Sequence, residues 1–294
     1  VRFLAPFDPW HSSMCTCPPK LTLNPYTGCT HSCVYCYASS YIPHFTECRP
    51  KKSLVHGLEK EALRLHGEIV SMSNSSDPYP PVENEMLITR RCLEILSRSD
   101  CSIQIITKSP LVLRDIDILQ KAPSTVALTV TTDNEAIALL LEPRAPPPSL
   151  RLKAAETLVN KGVPVSVRLD PIIPFVNDNP ASLVKTLGEL GVRHLTSSTY
   201  KVRPDNWRRF ASSFPEIANR LKPLYFSHGE KTGGYILLPR DLRLKLMQQI
   251  RRLAIENGMS FGVCRENLSW LNTASCDGSW LIPQKALTRG SVKS

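Results

Sequence analysis

Two hydrophobic periods alternate along this chain. Over residues 53–66, Leu54, Leu58, Ala62 and Leu65 recur at helical spacing, and Leu87, Cys92, Leu93 and Leu96 repeat it. Between such stretches lie short runs rich in branched residues: Leu21–Asn24, Glu68–Ser73, Cys101–Thr107, Val126–Thr131, Val163–Leu169 and Arg193–Ser198. These predict six strands. Further helices are predicted over 111–121, 134–141, 149–161, 180–190 and about 205–220. Pro143, Pro146-Pro147-Pro148, Gly162 and Gly191 supply the breaks. Strands alternating with helices imply an α/β fold with a parallel sheet and helical crossovers. The expected architecture is an open (β/α)6 partial barrel, with its ligand site at the carboxyl ends of the strands.

The end of the chain has a different pattern. Leu224-Tyr225-Phe226 and Tyr235-Ile236-Leu237-Leu238 flank the polar stretch Ser227–Gly234, a hairpin signal, and a last helix is expected over 240–257. The expected organisation is an irregular lead-in over 1–20, a barrel over 21–222, a hairpin and helix extension over 223–286, and a disordered polar tail over 287–294.

Charge adds a partner class. The 36 Lys plus Arg exceed the 26 Asp plus Glu, and the net charge of +10 favours a polyanion such as DNA or RNA. General solubility is the plainer account of the same number. No apolar run has membrane-spanning length, and no phosphate-binding glycine loop appears, which argues against a nucleotide triphosphatase. The ten cysteines do not resemble a secreted disulfide framework, so a reducing cytoplasm is the expected location.

Candidate chemistry begins at Cys29-Thr30-His31-Ser32-Cys33-Val34-Tyr35-Cys36-Tyr37, a C-x3-C-x2-C loop just after the first predicted strand. Close thiolates suit iron–sulfur clusters. Three of them leave one iron of a 4Fe–4S cluster open to a small molecule. A zinc site short of a ligand, or three unrelated thiols, are the plainer alternatives. The loop resembles the signature of the radical S-adenosylmethionine (radical SAM) enzymes. That resemblance implies Cys29, Cys33 and Cys36 as cluster ligands and SAM on the open iron. It also implies reductive cleavage of SAM to a 5′-deoxyadenosyl radical and a reductant protein of ferredoxin or flavodoxin type.

Candidate cofactor residues follow successive strands. They are Ser73, Asn74, Ser76 and Asp77 after the second, Lys108 after the third, Thr129 and Thr132 at the fourth, and Arg168 and Asp170 at the fifth. Small hydroxyls and a carboxylate suit the ammonium and ribose of SAM, and a lysine suits its carboxylate.

The resemblance narrows further. Asn24-Pro25-Tyr26-Thr27-Gly28-Cys29, Ser76-Asp77-Pro78-Tyr79, the stretch Lys108–Asp115, Leu141-Glu142-Pro143-Arg144 and Arg168-Leu169-Asp170-Pro171 are similar to the spore photoproduct lyase-like branch. That likeness covers about 20–250. It implies a partial TIM barrel with a C-terminal β-hairpin and DNA lesion repair by radical chemistry. Tyr35 and Tyr37 match the tyrosines beside the third cysteine, with Tyr35 also near SAM. Ser76 and Lys108 match SAM contacts. By place, the hairpin resembles one that wedges into DNA, with Lys231 and Tyr235 as contacts and Arg203, Arg208 and Arg209 upstream.

One departure stands out. The lyase carries a hydrogen-donating cysteine in its second-strand loop, where this chain has Asn74. An amide is a poor hydrogen-atom donor, so Tyr35, Tyr37 and Tyr79 become the candidate donors. Radical modification of a protein, peptide or small molecule stays open as the alternative function, and a simple iron–sulfur electron carrier as a third. Cys15, Cys17, Cys264 and Cys276 could form a second metal site if the ends of the chain meet, with free or buried thiols the plainer alternative. Cys92 and Cys101 are expected in the core, and Cys48 in a loop near the cluster.

Overall fold

The computed structural model describes residues 2–7, 12–72 and 75–284. The expected tail over 287–294 lies outside them. The strands are β1 (Ala5–Pro6), β2 (Leu21–Leu23), β3 (Tyr26–Thr27), β4 (Arg49–Pro50), β5 (Glu68–Met72), β6 (Cys101–Thr107), β7 (Ser124–Thr129), β8 (Val165–Ile172), β9 (His194–Thr199), β10 (Glu230–Thr232), β11 (Tyr235–Leu237) and β12 (Ser260–Val263). The helices are α1 (Leu54–Ala62), α2 (Glu83–Met86), α3 (Ile88–Ser97), α4 (Ile116–Leu119), α5 (Glu135–Leu141), α6 (Pro148–Asn160), α7 (Ala181–Glu189), α8 (Pro204–Ser213), α9 (Pro215–Phe226) and α10 (Arg240–Glu256).

One sheet organises the molecule, in the order β1-β2-β5-β6-β7-β8-β9-β12. All neighbours from β2 to β12 are parallel, and β1 is antiparallel to β2. The sheet is therefore open, with β1 and β12 at its edges. Every residue of β7 and β9 is buried, as expected for strands covered on both faces. Helices pack by their apolar stripes. Ile88, Cys92, Leu93 and Leu96 are the buried stripe of α3, and Leu183, Val184 and Leu187 that of α7. Cys101 is buried at the start of β6.

The six expected strands are all present, and the structure adds a seventh parallel one. Residues Ser260-Phe261-Gly262-Val263 pair with β9 as β12. The strand is short, and its glycine hides the alternation that would have marked it. β12 belongs to the segment expected as an extension, so that segment completes the sheet. The lead-in also contributes β1, where no period was visible.

Two helical expectations and one strand expectation are corrected. Phe214 and Pro215 split the expected helix over 205–220 into α8 and α9, because proline starts a helix more readily than it continues one. Leu224-Tyr225-Phe226 is the end of α9 and not a strand, with Tyr225 packed edge-on to Tyr200 and Trp207. The hairpin is the shorter pair β10–β11. The helix expected over 111–121 is a 3-10 turn over Pro110–Asp115 followed by α4.

Candidate functional site

The parallel register brings the loops after β5, β6, β7, β8, β9 and β12 to one end of the sheet. The cysteine loop after β2 and β3 lies at the same end. It starts at Gly28, whose backbone is left-handed (φ 84°) and whose Cα faces Glu47 and Phe45 carbonyls too closely for any side chain. Cys29 N–H donates to Phe45 O at 2.7 Å. On one side the loop is stitched to the end of α5. Val34 N–H donates to Leu141 O at 2.9 Å, and Arg144 N–H to His31 O at 3.2 Å. On the other side α8 holds it. Arg209 donates to Cys36 O at 2.8 Å and Asn206 to Tyr35 O at 3.1 Å.

The three thiols are neighbours within this loop: the charge of Cys36 acts on both Cys29 and Cys33. Burial is the main force pushing all three thiols up, Cys29 to about 12, with the Asp77 carboxylate second for Cys29. A cationic cluster reverses that preference, because coordinated thiols are deprotonated. Among the described residues, no set of three or more His, Cys, Asp or Glu could hold a metal ion. A four-iron cluster asks for a different spacing, since each thiolate binds a separate iron. The orphaned polar atoms nearby also fit a bound group. The hydroxyls of Ser76 and Thr131 are buried, and neither has a hydrogen-bond partner among the described residues.

A buried charge cluster, absent from the sequence-based set, backs the loop. Glu142 is 2 % exposed and Arg151 1 %. Arg151 Nη1 lies 2.5 Å from Glu142 Oε2 and also donates to Thr129 O at 3.2 Å. Tyr35 donates its hydroxyl to Glu142, and Lys108 Nζ lies 3.8 Å from the same carboxylate and over the Tyr35 ring. Burial alone would raise the Glu142 carboxyl, but Lys108 and Arg151 outweigh it and hold it low. Burial likewise opposes the charge on Lys108, and the anionic forms of Cys33 and Glu142 restore it. Glu142 stood in a quoted segment, but its partners are far away in sequence and no local pattern shows them.

The other expected cofactor residues have defined places. Ser73 and Asn74 lie outside the described residues. Asp77 is tied inward, accepting from Thr107 Oγ1 at 2.7 Å, Lys108 N at 2.8 Å and Tyr79 N at 2.9 Å. His31, which the sequence did not single out, is buried with Nδ1 3.7 Å from Asp77 Oδ2. Thr129 and Thr132 are buried at the end of β7, and Thr132 Oγ1 accepts from Asn134 N at the start of α5. Arg168 and Asp170 pair at 2.7 Å on β8, and Ser198 donates to Asp170 at 2.5 Å. Of the three candidate tyrosines, Tyr79 is enclosed at 1 %, Tyr35 is engaged by Glu142, and Tyr37 is 36 % exposed.

On the hairpin side, beside the loop, Tyr37, Lys201, Arg203, Tyr235 and Arg265 meet around a cavity of about 10 Å³, room for about one water. Lys201 pairs with the buried Glu266 at 2.9 Å, and Arg243 also reaches Glu266, at 3.3 Å. Lys231 and Arg208 are exposed. Tyr235 departs from expectation. It is 5 % exposed and its hydroxyl accepts from Arg265 at 2.8 Å, so its ring is not open for base stacking in this conformation. Arg209 is occupied by Asp205 and the Cys36 carbonyl, a role in holding the loop.

The four outlying cysteines separate. Cys17 Sγ lies 3.5 Å from Cys276 Sγ, and Cys15 hydrogen-bonds to Cys17. Cys264 sits at the end of β12, hydrogen-bonded with Arg168. The segments carrying Cys17 and Cys276 do meet, while Cys264 is engaged by Arg168.

The family model described as "Radical SAM superfamily" matches residues 23–190. An uncharacterized protein of Mycobacterium tuberculosis is 24% identical over 258 residues, covering 80% of this chain and 74% of that one. One from Methanocaldococcus jannaschii is 31% identical over 166 residues, covering 54% and 62%. Among solved structures, spore photoproduct lyase with bound AdoMet and dinucleoside spore photoproduct aligns with TM-score 0.62 at 14% identity, over 83% of this chain and 75% of that one. Streptococcus suis SuiB bound to S-adenosylmethionine aligns with TM-score 0.55 at 15% identity, over 83% and 51%. A radical SAM methyltransferase from Sphaerobacter thermophilus gives TM-score 0.53 at 17% identity, over 83% and 66%. At these identities the structural likeness is one of fold.

Proposed function

Because the chain belongs to the radical SAM superfamily, whose members use a 4Fe–4S cluster and S-adenosylmethionine, we propose that it directs radical chemistry onto nucleic acid. Cys29, Cys33 and Cys36 hold the cluster, and Ser76, Lys108 and Thr132 hold the polar groups of SAM, with Thr129, Arg168 and Asp170 completing the cradle. When bound, these cofactors supply a reducing electron and a carbon radical able to take a hydrogen atom. The protein supplies orientation and exclusion of water. Arg209 and Asn206 fix the loop carbonyls, Glu142 fixes Tyr35 and Lys108, and the apolar sheet closes the site from behind.

The observation that supports the substrate class is the basic surface on the hairpin side, where Lys231 and Arg208 are exposed next to Arg203 and Arg265. Exposed cations suit phosphate, whereas Lys201 is already paired with Glu266. The family likeness supports lesion repair resembling that of spore photoproduct lyase, and Asn74 in place of the donor cysteine then calls for another hydrogen donor or a different fate of the product radical. A second possibility, modification of a protein, peptide or small molecule, draws on the burial of Tyr235, which removes the expected stacking ring.

Duplex and single-stranded DNA affinity, measured across a salt series, separates the two. Nucleic-acid binding predicts affinity that falls steeply with salt, and a shallower slope for Lys231→Ala with Arg208→Ala, by about one phosphate contact each. Binding that is absent, or unchanged in slope by the double variant, moves the peptide or small-molecule class ahead.

A further inference from the structure

Cys15 and Cys17 stand just before β2, near one edge of the open sheet, and Cys276 follows β12 at the other edge. They are 259 positions apart in the case of Cys17 and Cys276, yet those sulfurs are 3.5 Å apart. The segment carrying Cys276 is fixed from several sides. Asp277 forms an ion pair with Lys20 at 2.6 Å, and Gln104 of β6 donates to Asp277 O at 2.9 Å. Thr196 of β9 donates to Cys276 O at 2.9 Å. Gly262 of β12 leaves the room for this approach, since a Cβ there would lie 2.6 Å from Cys276 Cα. Cys276 is 3 % exposed, whereas Cys15 and Cys17 are partly open to solvent.

We propose that Cys17 and Cys276 form a reversible disulfide, with Cys15 as the exchanging thiol, and that this bond latches the two edges of the sheet together. The oxidant is a small-molecule disulfide such as oxidised glutathione. A thiolate at Cys17, reached directly or through Cys15, attacks one glutathione sulfur and releases one glutathione thiol. Cys276 then attacks Cys17, releases the second glutathione thiol, and completes the protein disulfide. Two protein thiols are oxidised and one small disulfide is reduced, with protons passing to the released thiols. In the reverse direction Cys15 attacks Cys17, frees Cys276, and leaves a Cys15–Cys17 disulfide for a dithiol to reduce.

The test holds the cluster-loaded protein anaerobically in glutathione buffers of graded oxidation, quenches in acid, alkylates free thiols and maps peptides by mass. The expected result is a linked peptide pair joining Cys17 to Cys276, two hydrogens lighter, reversed by dithiothreitol while the cluster absorbance persists. Cys15→Ser should slow formation and reversal without preventing the bond. Cys276→Ser should leave Cys17 to pair with Cys15 or glutathione. Free alkylation of both Cys17 and Cys276 across the whole range would overturn the proposal. So would a disulfide found elsewhere in their place, or tightly bound zinc that protects all three thiols in the unmodified reduced protein.

Discussion

At the scale of single residues, the cofactor end of the sheet depends on Glu142. Its carboxylate gathers Tyr35, Lys108 and Arg151 in a buried space and supplies the anionic partner of Arg151, which also donates to Pro146 O and Thr129 O. Breaking such a pair from one side costs about 3–5 kcal/mol. Glu142→Ala should therefore lose stability on that scale in urea unfolding. Glu142→Gln, which can still accept from Tyr35, should fold better and bind SAM weakly. A Glu142→Ala protein as stable as the parent would remove Glu142 from this role. The sequence named Tyr35 and Lys108 from their place near the cysteines and after a strand. It could not show Glu142 or His31 as partners, because side-chain pairing over such separations depends on the fold.

His194 offers a pH signature at the same scale. Burial pushes its pKa down to about 4 from 6.5. The folded state thus resists a proton that the unfolded chain accepts. Stability is complete above about pH 6.5 and declines as pH falls toward 4. At 1.36 kcal/mol per pKa unit the whole loss approaches about 3 kcal/mol. Unfolding free energy measured from pH 7.5 to 5.5 should fall in the parent, and His194→Gln should flatten the slope. An equal slope in both proteins would mean that other groups govern this range.

At the scale of elements, the cysteine loop is a strap held at both ends, by α5 through Leu141 and by α8 through Arg209. Its entry depends on Gly28. A methyl there would stand 2.1 Å from Glu47 O, on a backbone at φ 84°. Gly28→Ala should cost well over about 1 kcal/mol and displace the loop. The expected outcome is loss of iron after anaerobic reconstitution, while circular dichroism still reports the α/β fold. Full iron loading in that variant would contradict this account of the loop. The strands of this fold were legible because β5 to β8 carry clustered Ile, Val and Leu, and β9, apolar only at Leu195, because Gly191 ends the helix before it. The loop was legible because its three cysteines are neighbours in sequence. The hairpin was only partly legible, since Leu224-Tyr225-Phe226 is as apolar in a buried helix end as it would be in a strand. Tyr235 stands beside a polar turn in sequence, and the partner of its buried hydroxyl, Arg265, is thirty positions away.

At the scale of the whole molecule, the open sheet places the cysteine loop and the buried Glu142 cluster at one end, with Lys201, Arg203 and Arg265 beside them. Both sheet edges are brought together by Lys20 with Asp277 and by Cys17 with Cys276. No described helix is long and apolar enough to cross a membrane. The net charge of +10 would favour long-range attraction to a polyanion, the partner class proposed above. The overall α/β architecture was readable from alternating periods, whereas β12 and the meeting of the two chain ends required the folded structure.

The most direct test of the central claim quantifies 5′-deoxyadenosine formed anaerobically by reduced, reconstituted protein given SAM, with and without dimer-containing DNA. The account predicts 5′-deoxyadenosine from the parent, more of it with the DNA, and none from the variant in which Cys29, Cys33 and Cys36 are all replaced by Ala. Undiminished 5′-deoxyadenosine from the triple variant would contradict the cluster assignment, and a yield indifferent to DNA would contradict the substrate class.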